Sequence, residues 1–282
     1  DVPMKIPNRF ARVLTAVLMV AGLGVLAGCG SDTDDGSASV NKDAKTVVVA
    51  TRGTVKPYSY TDDDGKLTGY DVEILKEIEK RDPSLHFTFK PMAVDAAFVA
   101  MDSSQVDMIA NQMRHSPARD EKYIFPKELN NYTVRKLVVP KDDDATKSLD
   151  DLKGKKVAVT TNSEFADLVK KFNETADTPI EIVYTDKGPS ETMNLVATGR
   201  AQAAGEYEYI VSVAQKDKNL PIKTVGPTLT KVPTYFLLRK DDEMQKVADK
   251  IDAALKSMRE DGTLKVLSEK YLGADYTEAP TE

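Results

Sequence analysis

Arginine side chains and one helix start are the features of this sequence best suited to recognising an anion. A guanidinium can bind a planar carboxylate through two parallel hydrogen bonds, a geometry that lysine does not offer. The sequence carries such side chains at Arg52, Arg114 and Arg119. Residues 161–164 follow a predicted strand and open a predicted helix, so their backbone N–H groups and the helix dipole favour an anion there. Ser163 also stands at the N-cap position of that helix.

Residue groupings typical of catalysis are missing from the sequence. Neither His86 nor His115 has a serine or cysteine nucleophile motif beside it, and no cluster of His, Cys, Asp and Glu has metal-site spacing. Glu164 and Glu206 are the acids that could serve an enzyme if they line a cleft. The sequence therefore favours binding over catalysis and predicts no cofactor and no metal, with a cleft enzyme as the alternative.

The only cysteine, Cys29, closes a segment with the anatomy of an export signal. A positively charged start precedes an apolar run over residues 13–26. Residues 26–29, Leu-Ala-Gly-Cys, resemble the lipobox of bacterial lipoproteins, which implies cleavage before Cys29 and diacylation of its sulfur. A transmembrane helix is the alternative, but about 14 apolar residues fall short of the roughly 20 needed. We expect residues 1–28 to be a signal peptide and the lipid to anchor the protein on the outer face of the cell membrane.

The composition of the remaining chain bounds its size and its partners. Residues 29–44 are small and polar, which predicts a flexible tether after the lipidated cysteine. About 238 residues remain for the folded part, enough for one large domain or two of ordinary size. Removal of residues 1–28 takes the formal net charge from -6 to about -8, which argues against nucleic acid as a partner.

Predicted strands and helices alternate along the folded part in two rounds. Strands are predicted at residues 46–51, 86–89, 106–110, 156–159 and 180–184, and helices at 71–81, 95–103, 163–173, 190–198, 247–258 and 264–271. Gly69 and Asp71 are expected to shape and cap the first helix, with Asp71 on a solvated acidic face. Alternation of this kind builds mainly parallel sheets with helices on both faces. The pattern predicts an α/β fold of two lobes with a ligand crevice at the carboxyl ends of the strands.

Four stretches resemble the extracellular solute-binding proteins of ABC importers that take up polar amino acids. They are residues 57–60 with 65–71, 111–113 with 116–119, 149–157, and 261–264 with 267–273. The resemblance extends from about residue 46 to 277 and implies a type II periplasmic-binding-protein fold, each lobe a mixed, mainly parallel sheet flanked by helices. Two hinge segments would join lobe 1 (residues 45–131 and 234–282) to lobe 2 (residues 132–233). The protein is expected to be a monomer whose closed, liganded form is recognised by a membrane permease.

The resemblance also implies how the ligand is held. In the family, an arginine at this motif position binds the carboxylate of the ligand, and the strand end before it receives the ammonium hydrogens. The helix start in lobe 2 would clamp the same carboxylate from the other side, which couples binding to lobe closure. The residues concerned are Arg119, Asn111, Gln112, Met113, Ser163 and Glu164.

The sequence departs from the family pattern where an aspartate usually holds the ligand ammonium. Tyr207 stands at that position, between Glu206 and Glu208, and one of these glutamates could substitute. Tyr58 is the aromatic side chain left for packing on the ligand, although a place on the lobe surface is equally open to it.

Arg52 and Arg114 add positive charge near the predicted site. This suits a ligand with a second carboxylate, such as cystine, glutamate or aspartate, while pairing of Arg52 with an acid at the cleft mouth is the alternative. Residues 50–54, 111–112 and 267–276 are most similar to components of cystine or cysteine importers. Cystine or cysteine is therefore the expected ligand, with glutamate, aspartate or glutamine as alternatives. A ligand-free adhesin or signalling ectodomain is a further class with the same fold.

Overall fold

The computed structural model describes residues 41–278. The predicted signal peptide, the lipidation site Cys29 and most of the predicted tether lie outside the described residues. Within residues 41–278, no helix combines the length and the apolar character needed to cross a membrane.

Strands and helices alternate through the described chain. The strands are β1 (Lys45–Thr51), β2 (Thr54–Val55), β3 (Ser59–Thr61), β4 (Leu67–Thr68), β5 (Leu85–Pro91), β6 (Met108–Met113), β7 (Tyr123–Ile124), β8 (Asn131–Pro140), β9 (Lys156–Thr160), β10 (Glu181–Thr185), β11 (Ala204–Tyr207) and β12 (Ile222–Arg239). The α-helices are α1 (Tyr70–Arg81), α2 (Val94–Asp102), α3 (Pro117–Lys122), α4 (Glu164–Thr175), α5 (Pro189–Ala197), α6 (Glu208–Asp217), α7 (Asp242–Glu260) and α8 (Thr263–Leu272). Every strand and helix predicted from the sequence is confirmed, with shifted ends.

A seven-stranded sheet in the order β11-β8-β12-β6-β1-β5, with β7 beside β12, runs through both lobes. β1 is parallel to β5 and β6, whereas β12 is antiparallel to β8 along its first part and to β6 and β7 along its last. β8 and β12 therefore correspond to the two hinge segments that the resemblance implies. β9 and β10 form a parallel pair beside β11 in lobe 2. The fold is a two-lobed mixed α/β architecture.

Each lobe has helices on both faces of its strands. In lobe 1, Val47 and Val49 of β1 face the core under α1, α7 and α8, while Val48 and Ala50 face the core under α2. This is the two-residue alternation of a strand buried on both sides. In lobe 2, α4 covers one face of the strands, and α5 and α6 cover the other.

The start of α1 differs from the sequence prediction. Asp71 was expected at a solvated helix start, but its exposed fraction is 0%. Gly69 has a φ of 119°, and a Cβ there would lie 2.4 Å from the carbonyl oxygen of Tyr58. Only glycine permits this close turn, which directs Asp71 inward toward β6.

Candidate ligand-binding crevice

The ends of β1 and β6 and the start of α3 form the wall of the crevice on lobe 1. Oδ1 of Asn111 accepts a hydrogen bond of 3.0 Å from the backbone nitrogen of Arg52 and so joins the two strand ends. Nδ2 of Asn111 is buried and has no hydrogen-bond partner among residues 41–278. Gln112 has a left-handed backbone with a φ of 50°. The strand end thus turns at the position where the resemblance implies ammonium binding.

Arg119 keeps its contacts within lobe 1. Its Nη1 donates to the carbonyl oxygen of Arg114 at 3.0 Å, and its guanidinium carbon lies 5.4 Å from the centre of the Phe98 ring. Within the described part of the chain, this side chain forms no hydrogen bond or ion pair with lobe 2. Its role as the carboxylate ligand stays a prediction.

Met113 and Ser163, both predicted to bind the ligand, each have a structural role. The side chain of Met113 is 6% exposed and packs in the core beneath α2, so only its backbone can face a ligand. Oγ of Ser163 accepts a hydrogen bond of 3.1 Å from the backbone nitrogen of Ala166, which confirms it as the N-cap of α4. Ser163 also lines a cavity of about 210 Å³ in lobe 2 together with Arg135 and Tyr207.

Arg135 on β8 is the centre of the wall on lobe 2 and is not among the site residues predicted from the sequence. Its side chain is 8% exposed, and Nη1 donates to the carbonyl oxygen of Gly205 at 2.8 Å. Antiparallel pairing sets Tyr207 of β11 opposite Arg135, with the guanidinium carbon 4.2 Å from the centre of the tyrosine ring. This position satisfies the cation–π geometry and holds a buried positive charge at the crevice.

Glu206 is a buried acid beside Arg135. Its exposed fraction is 6%, and its Oε1 accepts a hydrogen bond of 2.7 Å from the hydroxyl of Thr192. Burial raises the pKa of Glu206, while the Thr192 hydrogen bond and the Arg135 charge, 3.8 Å away, oppose the increase. The pair gives this wall one positive and one negative group in an apolar setting.

The two walls meet at Arg114. Its Nη2 donates to the hydroxyl of Tyr207 at 2.5 Å, and its Nη1 lies 4.0 Å from Oε2 of Glu164. The same Glu164 oxygen lies 3.9 Å from Arg135 and 3.4 Å from the Tyr207 hydroxyl. The structure therefore brings four predicted site residues, Arg114, Glu164, Glu206 and Tyr207, together around Arg135.

Tyr58 and Arg52 lie apart from this cluster. Tyr58 is 1% exposed, accepts a hydrogen bond of 2.9 Å from Nδ2 of Asn131, and meets Tyr209 edge-on at 4.9 Å between ring centres. It is therefore packed between the lobes and not on a surface. Arg52 is exposed and lines a cavity of about 520 Å³ that also includes Val94. Within residues 41–278 it forms no ion pair.

A hinged two-lobed α/β fold with a polar, charged crevice defines a solute-binding protein of the periplasmic type. The family described as "Bacterial extracellular solute-binding proteins, family 3" matches residues 47–274. This chain belongs to that family, whose members bind solutes outside the cytoplasm.

Comparisons with individual proteins agree with this membership. The L-cystine-binding protein TcyK of Bacillus subtilis is 36% identical over 97% of this chain and 98% of its own length. The L-cystine-binding protein TcyJ of the same organism is 34% identical over 94% and 97%. The crystal structure of the probable amino-acid ABC transporter extracellular-binding protein ytmK from B. subtilis is 38% identical, covers 83% of this chain and 100% of its own, and has a TM-score of 0.75. The L-cystine solute receptor of Neisseria gonorrhoeae, unliganded and open, is 29% identical, covers 85% and 98%, and has a TM-score of 0.72.

Proposed function

We propose that this chain captures a polar amino acid, with cystine or cysteine as the leading ligand, and delivers it to the membrane permease of an ABC importer. The observation that carries the proposal is the 36% identity, over nearly its whole length, to a relative named for L-cystine binding. The crevice supports it, because Arg114 and Arg135 supply positive charge for a ligand with carboxylates. Glutamate, aspartate and glutamine are the alternative ligands.

In the proposed mechanism, closure of the lobes completes the site. Arg119 binds the α-carboxylate from lobe 1, and the backbone N–H groups at Ser163 and Glu164 bind it from lobe 2. The main chain and side chains of residues 111–113 receive the ammonium. Lobe 1 (residues 45–131 and 234–282) and lobe 2 (residues 132–233) rotate about β8 and β12, and the permease recognises the closed form.

The proposal includes attachment to the membrane and action without catalysis. Cys29, once lipidated, anchors a monomer to the outer face of the cell membrane. Mass spectrometry of the protein from membranes should find diacylglycerol on Cys29, and Cys29→Ala should abolish both this modification and the cleavage before residue 29. A wild-type protein that carries no lipid on Cys29 contradicts the anchor. Incubation with amino acids, prephenate or arogenate should give no product.

A thermal-shift panel of the common amino acids and cystine tests the ligand. A ligand at about 100 times its Kd stabilises a protein by roughly 2.7 kcal/mol. For a chain of this size, that corresponds to a rise in Tm of about 5–10 °C. We expect cystine to give the largest rise in Tm. A reducing agent converts cystine to cysteine and should therefore change the size of that rise. No rise with any member of the panel would remove the proposal and favour a ligand-free ectodomain.

Arg119 variants test the mechanism. Arg119→Ala should abolish the ligand-induced rise in Tm while the ligand-free protein stays folded, because this side chain is only half-buried and uses one hydrogen bond. Arg119→Lys should restore the rise only weakly, since an ammonium cannot form the paired hydrogen bonds of a guanidinium. Full binding by Arg119→Ala would place the carboxylate elsewhere.

A further inference from the structure

The glutamates around the crevice each face a cation. Oε2 of Glu164 lies 3.9 Å from Arg135, and Oε2 of Glu206 lies 3.8 Å from the same guanidinium. Oε1 of Glu208 lies 3.1 Å from Nζ of Lys136. The positive charge of a ligand's ammonium, once it is removed from water, also needs a negative counter-charge. An acid without a cationic partner is therefore better suited to supply it.

Asp71 is a buried acid of lobe 1 without a cationic partner. Its exposed fraction is 0%, and it forms no ion pair within residues 41–278. Nε2 of Gln112 donates a hydrogen bond to its Oδ2, while its Oδ1 has no hydrogen-bond partner in the same part of the chain. A charge in such a setting is screened only weakly, so it acts strongly on the turn at Gln112 and on a group bound there.

The backbone of Gln112 needs support from its surroundings. Its φ of 50° is left-handed, a conformation that few residues other than glycine adopt and that persists only where the surrounding structure holds it. Asp71 accepts hydrogen bonds from both the side chain and the backbone of Gln112. Hydrogen bonds to an ionised acceptor are about twice as strong as those to a neutral one. The shape of the turn therefore depends on the charge of Asp71.

We propose that Asp71 is a positioning residue for the ammonium group of the ligand and acts on it through Gln112. The ionised carboxylate holds the turn and supplies the counter-charge, while the direct contacts come from residues 111–113. The inference rests on the proposed function, in which these residues receive the ammonium. Binding of the ligand and ionisation of Asp71 then favour each other, so a ligand that binds the protonated protein sends the proton of Asp71 into the solvent.

Other titratable groups near Asp71 or the crevice define what the test must separate. Tyr58 and Tyr70 lie close enough for the charge of Asp71 to act on them, but burial raises the pKa of both hydroxyls, so neither is charged between pH 5 and 8. His115, in the loop after β6, can change its charge in this range. So can Glu206 in lobe 2, because burial raises its pKa.

Isothermal titration calorimetry of the purified wild type and Asp71→Asn with L-cystine, from pH 5 to 8, tests this inference. The asparagine keeps an acceptor for Gln112 but carries no charge. The wild type should bind at least about tenfold more tightly at pH 8, the effect of one charge-assisted hydrogen bond. This ratio of affinities should fall toward one at pH 5, by at most about tenfold for each pH unit. Ionisation of His115, Glu206 and cystine itself cancels in the ratio.

Buffers of different ionisation enthalpy give the second readout. At pH 6 the wild type should release up to one proton more than Asp71→Asn on binding, which a merely structural role of Asp71 would not produce. Asp63→Asn removes an exposed acid and should keep the wild-type profile; thermal melts establish that each variant is folded. A ratio that is constant over the pH range, or equal proton release by the wild type and Asp71→Asn, would overturn the inference and leave the function intact. Absence of cystine binding by the wild type at every pH would overturn both.

Discussion

At the scale of single residues, Asp71 is a buried carboxyl group joined to the proposed binding loop. Nε2 of Gln112 donates to its Oδ2, while Oδ1 has no hydrogen-bond partner in the described chain. Burial raises the pKa of Asp71 to about 7, against the opposing effect of the Gln112 hydrogen bonds. The carboxyl therefore gains or loses its proton near neutral pH, next to the backbone turn at Gln112 that we propose faces the ligand.

This carboxyl group should make stability depend on pH. Its folded pKa lies above its ordinary value, so between about pH 4 and 7 the unfolded chain releases the proton first. The contribution to the free energy of unfolding is complete below that range and is lost as pH rises to 7. Since each pKa unit equals about 1.4 kcal/mol, the loss amounts to a few kcal/mol. Asp71→Asn, which stays neutral, should be more stable than the wild type at pH 8 and similar to it at pH 4.

Thermal melts of both proteins from pH 4 to 9 measure this difference. Asp63→Asn, in an exposed loop, is the matched control for removal of one acid. A difference between Asp71→Asn and the wild type that is constant over the whole range would show that Asp71 does not titrate near neutral pH.

Some residues of the crevice could be predicted from the sequence and others could not. Arg114, Glu164, Glu206 and Tyr207 follow from motif positions and from departures at those positions, and they meet in the structure. Arg135 could not be found in this way, because it matches no motif. Its only signal is an arginine inside the β-branched and largely apolar segment 132–139, next to Lys136. Its place depends on pairing with β11, a strand that the sequence pattern does not predict.

At the scale of elements, the regular alternation of strands and helices was predictable because each buries a periodic apolar face. The hinge strands β8 and β12 were implied only by the resemblance. β12 contains Gly226 and Pro227 at an irregularity between Val225 and Thr230, and these residues interrupt the strand pattern. Helices α3 and α6 were also missed. α3 has only 6 residues, too few to show a helical period.

The tight turn before α1 should make Gly69 more costly to replace than a glycine in an open turn. Gly69→Ala would place a Cβ 2.4 Å from the carbonyl oxygen of Tyr58 at a φ of 119°, and neither partner is a flexible side chain. Gly65→Ala has a φ of 77° but meets nothing within 4 Å, so it carries only the backbone cost. We expect the Gly65 change to cost about 1–2 kcal/mol and the Gly69 change about 3 kcal/mol or more. Urea unfolding of both variants measures this, and equal midpoints would contradict the close approach at Gly69.

At the scale of the whole molecule, the lobes are joined by more than the hinge strands. Tyr58 of lobe 1 packs on Tyr209 of lobe 2, and Lys56 lies 3.2 Å from Asp217. The Lys56 pair is about half-exposed, so its contribution to stability is small. Arg114 reaches lobe 2 through the Tyr207 hydroxyl. Contacts of these side chains must change if ligand binding rotates one lobe against the other.

Closure predicts a change in distance between the lobes and none within a lobe. Val99 in α2 and Val266 in α8 belong to lobe 1, Tyr184 in β10 belongs to lobe 2, and these side chains are 68%, 62% and 51% exposed. In a Cys29→Ser background, which removes the only natural cysteine, the chain can be labelled at Val99→Cys with Tyr184→Cys, or at Val99→Cys with Val266→Cys. Unlabelled thiols would exchange with cystine, so labelling with maleimide dyes is taken to completion before cystine is added.

The first labelled pair should change its energy-transfer efficiency when cystine binds, because the two labels are on opposite sides of the hinge. The second pair should keep its efficiency, since both labels move with one lobe. Addition of Arg119→Ala should remove the change in the first pair, because a ligand held from one side only has no differential affinity for the closed state. A thermal shift on ligand addition without any change in the first pair would show that binding occurs in a fixed crevice, and the coupling of binding to closure would be wrong.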